Sequence, residues 1–201
     1  MDPTEHLAIL ARAPRLGTVK TRLAAALGDR PALDIYRRLL QVLAGGLAPL
    51  GPVCWRVTPD DATAELDPWL RPGWQAVPQG GGTLDARITR AFDDAFAAGA
   101  RRVVVIGSDC PEVSADDITA AWRFLADHDV VLGPAVDGGF WAIGLALPQP
   151  GLLAGLPWST PGVWTATVER VRSAGLRLAC LRPLGDIDTP ADWEAWERRA
   201  G

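Results

Sequence analysis

Short apolar runs alternate with segments of helical periodicity along almost the whole chain, and this alternation restricts the fold more than any other feature. "HLAILA" (6–11) reads as a buried strand that ends in a Pro/Gly loop. "VKTRLAAALG" starts a helix near Val19 that Gly28 stops. "DRPALDIYRRLLQVLAGG" gives a second helix, with Asp29 as N-cap and Pro31 in its first turn. "VCWRVT" (53–58) is a second strand and "WQAVP" (74–78) a weaker third; a helix follows the glycines of "QGGGT", from about Thr83 to Ala98. "RRVVVIGSDCP" (101–111) is the clearest strand, and Ser114 with Asp117 forms a capping box for "ADDITAAWRFLADH". "DVVLGPAVDGG" and "GFWAIGLAL" are two strands joined by a glycine turn. "TPGVWTATVERVRSAG" is a helix, "LRLACLRP" a last strand and "TPADWEAWERRAG" a closing helix.

Strand–helix alternation calls for crossover connections and a mostly parallel sheet. Around Gly138–Gly139 no helix fits between two strands, so one antiparallel strand interrupts the sheet. The expectation is a three-layer α/β/α fold over residues 1–201, in one domain with no repeat and no dividing linker. The net charge of -4 and the acidic balance argue against a nucleic-acid partner. Three dispersed cysteines, Cys54, Cys110 and Cys180, form neither a disulfide framework nor a zinc site. No apolar stretch approaches the ~18 residues of a membrane span, and "MDPTEHLAIL" lacks the basic start of a signal peptide. A cytoplasmic protein without membrane attachment is the expectation, and nothing in the pattern specifies an oligomer.

Against that acidic background, "ILARAPRLGTVKTRLAAAL" (9–27) stands out. Arg12, Arg15, Lys20 and Arg22 crowd one loop, no carboxylate lies between Glu5 and Asp29, and Lys20 is the sole lysine of the chain. Gly17 lets backbone approach an anion, arginines make forked contacts to phosphate oxygens, and a helix start offers free amides. This is a polyphosphate cradle, although neither G-x-x-x-x-G-K-[ST] nor G-x-G-x-x-G is present. Asp109 comes directly off the strongest strand, where a carboxylate can hold Mg²⁺ or end the strand in an Asx turn. Asp186 and Asp188 in "GDIDTP" alternate as strand residues do, so both can share a face. Cys110 reads as buried filler rather than a nucleophile. Asp137, Gly138 and Gly139 combine a carboxylate with a turn into which a ligand could press. Ser159 and Thr160 offer hydroxyls before a helix, for a ligand or for capping. Trp141 and Trp158 lie beside these motifs and are the tryptophans best sited for ligand contact. Ligands of open α/β sheets bind beyond the carboxyl ends of the strands, where the loops after the first, fourth and last strands would meet.

"ARAPRLGTVKTRLA", "IGSDCPEVS", "GPAVDGGFWAIG", "PWSTPGVW" and "DIDTPADW", in that order, resemble a family of small bacterial glycosyltransferase-A-like proteins. These are described as a domain of unknown function or as radical-SAM/selenodomain-associated transferase 1 type, and are similar to 2-phospho-L-lactate guanylyltransferases. The resemblance spans about Leu7 to Trp193. It implies a nucleotide-diphospho-sugar transferase fold with a nucleotide over the first loop. Arg12, Lys20 and Arg22 match the phosphate-binding loop, Asp109 and Asp188 the acids that hold Mg²⁺ (or Mn²⁺), and Asp137 to Gly139 the acceptor loop. The segment Gln79 to Arg87 departs from the family's Q-x-G-x-D-L-G-x-R at Thr83, Asp85 and Ala86.

Two chemistries suit this scaffold: nucleotidyl transfer from an NTP to a small anionic acceptor, and glycosyl transfer from an NDP-sugar. Neither needs a protein nucleophile. The triple cation cluster favours the first, because a leaving pyrophosphate gathers charge in the transition state. In that reading Lys20, Arg22 and Asp109 carry the catalysis. A non-catalytic nucleotide-binding protein would need the cations but not both acids.

Overall fold

The computed structural model describes residues 4–200. Seven strands form one sheet, in the order β3 (Gln75–Pro78), β2 (Val53–Thr58), β1 (Glu5–Arg12), β4 (Arg102–Gly107), β6 (Phe140–Leu145), β5 (Val130–Pro134) and β7 (Leu178–Cys180). Every pair is parallel except those of β6, which runs against both β4 and β5. The mixed α/β sheet with a single reversed strand thus has the architecture that the alternation predicts, and the reversed strand is the one entered through Gly138–Gly139.

The two-residue period of the strands sorts the core onto both faces. Leu7 and Ile9 of β1 pack with Tyr36, Leu40 and Leu43 of α2 (Asp29–Gly46) and with Ile118 and Trp122 of α4 (Ala115–Phe124). Ala8, with Val103, Val105 and Ile143, meets Ile88 and Phe92 of α3 (Leu84–Ala97) and Val171 of α5 (Val163–Ser173). A third cluster joins Leu23 of α1 (Thr21–Leu27), Leu39 of α2 and Trp196 of α6 (Pro190–Ala200). Ser114 and Asp117 cap α4 reciprocally, as their spacing requires. Four local features differ from expectation. The N-cap of α2 is Gly28, and Asp29 is the first residue of the helix, with no side-chain cap bond. α1 begins at Thr21 rather than near Val19, because Lys20 takes a left-handed backbone (φ 48°, ψ 50°) that a helix cannot include. β7 shrinks to three residues. Asp60–Trp69 forms a 3₁₀ segment that the aperiodic "DDATAELDPW" did not announce.

Candidate active site

The loops after β1 and β4 and the segment after β7 converge at one end of the sheet, around a cavity of about 710 Å³. Two links hold them there, one between backbones and one through a side chain. The Ile187 N–H donates to the Asp109 carbonyl at 3.0 Å, pinning "GDIDTP" against "GSDCP". The Tyr36 hydroxyl donates to the Arg12 carbonyl, accepts from the Arg12 N–H (both 3.0 Å), and lies 3.2 Å from Ser108 Oγ. One buried oxygen therefore joins the loop of the cations to the loop of the acid.

Lys20 sits at the centre. Its Nζ lies 2.5 Å from Asp109 Oδ1 and 3.2 Å from Asp188 Oδ1, while Arg22 reaches Asp188 Oδ2 at 3.2 Å. The Lys20 side chain is only 4% exposed, whereas those of Asp109 and Asp188 are 45% and 39% exposed and face the cavity. Burial alone would lower the Lys20 pKa; the charges and hydrogen bonds of Asp109 and Asp188 outweigh it, and the ammonium is held protonated. Asp186 has the opposite fate. Burial, then the like charges of Asp109, Asp137 and Asp188, push it up to about 7 against the pull of Lys20. Asp109, Asp186 and Asp188 thus share one buried ammonium, and the exposed faces of Asp109 and Asp188 are open to a metal-bearing guest. Among the described residues no group of three or more His, Cys, Asp or Glu is placed to hold a metal. Burial likewise pushes the Cys110 thiol up to about 12, so it holds no reactive thiolate at neutral pH.

The remaining candidates divide. Arg12 lines the cavity, but Arg15 turns away to Glu65 (2.6 and 2.8 Å) on the 3₁₀ segment. Gly17, with φ 73°, does not line the cavity and backs onto Asp29. The cradle therefore rests on Arg12, Lys20 and Arg22. Asp137, Gly139, Ser159 and Thr160 also line the cavity. Asp137 Oδ1 accepts from the Gly139 N–H at 2.9 Å, and the Thr160 hydroxyl donates to the Pro157 carbonyl at 2.7 Å, so both serve their own turns. Gly138 does not line the cavity; a Cβ there would fall 2.6 Å from the Pro161 carbonyl oxygen, so its role is close loop packing. Trp141 and Trp158 both line the cavity, although Trp141 is buried and its N–H goes to the Arg182 carbonyl. Tyr36 lies outside every motif, and Ser108 and Gln79 lie inside motifs in which other residues draw the chemical reading. The buried Gln79 amide donates to the Ala11 and Arg56 carbonyls, and Arg90 holds the Gln79 and Gly81 carbonyls, so "QGGGT" is a braced loop whose Gln79 lines the cavity.

The family model described as "Uncharacterized protein conserved in bacteria (DUF2064)" matches residues 44–160. The chain belongs to this family. A phosphoenolpyruvate guanylyltransferase of Chloroflexus aggregans is 32% identical over 195 residues, covering 92% of this chain and 96% of that protein. A protein of the same name from Sphaerobacter thermophilus is 32% identical over 186 residues, covering 90% and 87%. A crystal structure from Desulfovibrio desulfuricans G20, assigned to the nucleotide-diphospho-sugar transferases, superposes with a TM-score of 0.89 at 31% identity, covering 98% of this chain and 87% of that one. This DUF2064 protein is accordingly a transferase with the nucleotide-diphospho-sugar transferase fold. No helix among its described residues is long and apolar enough to cross a membrane.

Proposed function

We propose that the protein transfers a nucleotidyl group from an NTP to an acceptor phosphate and releases pyrophosphate, with GTP the first nucleotide to test in view of the relatives' names. The observation that carries this reading is the shared grip of Asp109 and Asp188 on Lys20 beside Arg12 and Arg22. An acceptor oxygen attacks the α-phosphorus; the new P–O bond forms as the bond to the bridging oxygen breaks, and its electron pair leaves on pyrophosphate. Lys20 and Arg22 face that growing charge from fixed positions, and Arg12 orients the β- and γ-phosphates. Asp109 and Asp188 are the residues that would hold Mg²⁺ or Mn²⁺, as two hard oxygen donors completed by substrate phosphates and water. When bound, the ion supplies Lewis-acid polarisation of those phosphates. Asp109 and Asp188, both lining the cavity and both partly exposed to it, support this fit.

Thermal shift with each NTP, with Mg²⁺ or with chelator, tests the reading. Mg²⁺–GTP at ~100-fold above its Kd should raise Tm by about 5–10 °C, and Asp109→Asn and Asp188→Asn should each abolish the gain. Pyrophosphate should appear only when an acceptor is added. Release of a nucleoside diphosphate from an NDP-sugar would instead mark a glycosyl transferase, and metal-independent binding without turnover a nucleotide-binding protein.

A further inference from the structure

Lys20 stands in an unexpected place for a residue that is to meet phosphate. Its ammonium lies 2.5 Å from Asp109 Oδ1 and 3.2 Å from Asp188 Oδ1, one oxygen of each acid. The lysine side chain is almost wholly covered, while both carboxylates are open to the cavity. These are the two acids that would hold Mg²⁺ or Mn²⁺, and Mg²⁺ takes its oxygen ligands at about 2.0–2.1 Å. Two cations bridging the same pair of oxygens would lie almost on top of one another, with their repulsion little screened by water. The seat therefore holds one of them at a time.

Arg22 obstructs that seat far less. It meets the other oxygen of Asp188, Oδ2, at 3.2 Å from a side chain that is 72% exposed, so solvent screens the pair. The backbone, by contrast, commits Lys20 to its pose. At the residue before α1 it takes φ 48° and ψ 50°, a left-handed conformation that residues with a side chain adopt rarely. An ammonium carries three donors on a flexible stem, and it can exchange carboxylate for phosphate oxygens by turning about its last bonds while the backbone stays still. A phosphate chain offers anionic oxygens to receive it. A bare divalent ion offers only repulsion.

We propose that Lys20 is an internal counter-ion that closes the Asp109–Asp188 pair to a free divalent cation, and that a polyphosphate opens the pair by drawing the ammonium onto its own oxygens. Metal and polyphosphate then favour each other's binding, and the chain discriminates against metal that arrives without phosphate. This rests on the nucleotidyl-transfer reading only in taking Asp109 and Asp188 as the acids that hold the metal.

Mn²⁺, followed by the paramagnetic resonance of the free ion, is titrated into the full chain without nucleotide. Lys20→Met, which keeps the stem and removes the charge, should bind it at least ~10-fold tighter than the parent, within the usual range of coupling between two sites. Adding Asp109→Asn to that variant should remove the gain. Arg22→Gln, at an exposed position, should gain less than about fivefold, as for a surface ion pair. A second measurement uses the parent alone: Lys20 is the sole lysine, so isotope-labelled lysine gives one ammonium resonance. Tripolyphosphate in chelator should move that resonance, and Mg²⁺ alone should leave it in place. Equal Mn²⁺ affinity of parent and Lys20→Met, a gain that survives Asp109→Asn, an Arg22→Gln gain as large as that of Lys20→Met, or a lysine resonance that answers to Mg²⁺ alone or ignores tripolyphosphate would overturn the proposal. A chain that meets every one of these expectations yet releases no pyrophosphate from any NTP and acceptor would lose the nucleotidyl-transfer reading and keep its guarded metal seat.

Discussion

Two carboxylate–cation networks lie a short way apart beyond the same end of the sheet, and they are built to opposite rules. In the first, Arg182 grips both oxygens of Asp117 at 2.6 and 2.8 Å, and Ser114 supplies the cap, so each lone pair facing the protein has a donor. Burial pushes the Asp117 carboxyl up, but the bonds from Arg182 and Ser114 outweigh it and hold it below the usual range. In the second, Lys20 is divided between two acids, and a third, Asp186, is left without a cation of its own. The closed network holds α4 to the segment after β7. The open one keeps charge ready for something that arrives.

The contrast can be broken at its strongest point first. Lys20→Ala should lower turnover of the folded fraction by roughly 10²- to 10³-fold, about 2–4 kcal/mol of transition-state stabilisation; unchanged pyrophosphate release would end its catalytic assignment. Asp117→Ala should do the reverse. It removes a capping box and a forked ion pair, for about 2–3 kcal/mol of stability, seen in chemical denaturation, with turnover of the folded fraction intact. Since the Asp117 pKa is lowered in the folded chain, the share of that margin due to its charge is present above the ordinary aspartate value near 4 and is lost as pH falls from there through the lower folded value.

Asp186→Asn gives the smallest effect and the sharpest comparison. The folded chain keeps a proton on Asp186 up to about 7, while an unfolded aspartate loses it near 4. Between those values the folded state binds more protons, so stability falls as pH rises, and the penalty is complete above 7. In chelator, the variant should be more stable than the parent by about 1–2 kcal/mol at pH 8, after allowance for partial solvent screening, and equal to it below pH 4. A variant that is less stable at pH 8 would mean that Asp186 has a partner in the fold.

The strand pattern carried the architecture because each apolar run has a period that only one arrangement buries. It also carried Lys20, Asp109 and Asp188 to one place, since residues directly after parallel strands must meet at one end. What it could not carry were choices made between distant segments. Arg15 reads like its neighbours until the unannounced 3₁₀ segment presents Glu65 to it. Gly17 has the right composition for a cradle, but the left-handed Lys20 backbone, not Gly17, directs the chain toward the acids. Tyr36 occupies an ordinary apolar helical position, and nothing local reveals that its oxygen meets two loops. The glycines of "QGGGT" suggested slack that Arg90, Asp60 and Gln79 take up.

The Tyr36 hydroxyl has one hydrogen and two lone pairs, and Arg12 and Ser108 use all three. With its valence spent, the only tyrosine of the chain behaves as a rivet through two plates: the arginine arm and the acidic strand end are fastened at a set spacing by the fold itself.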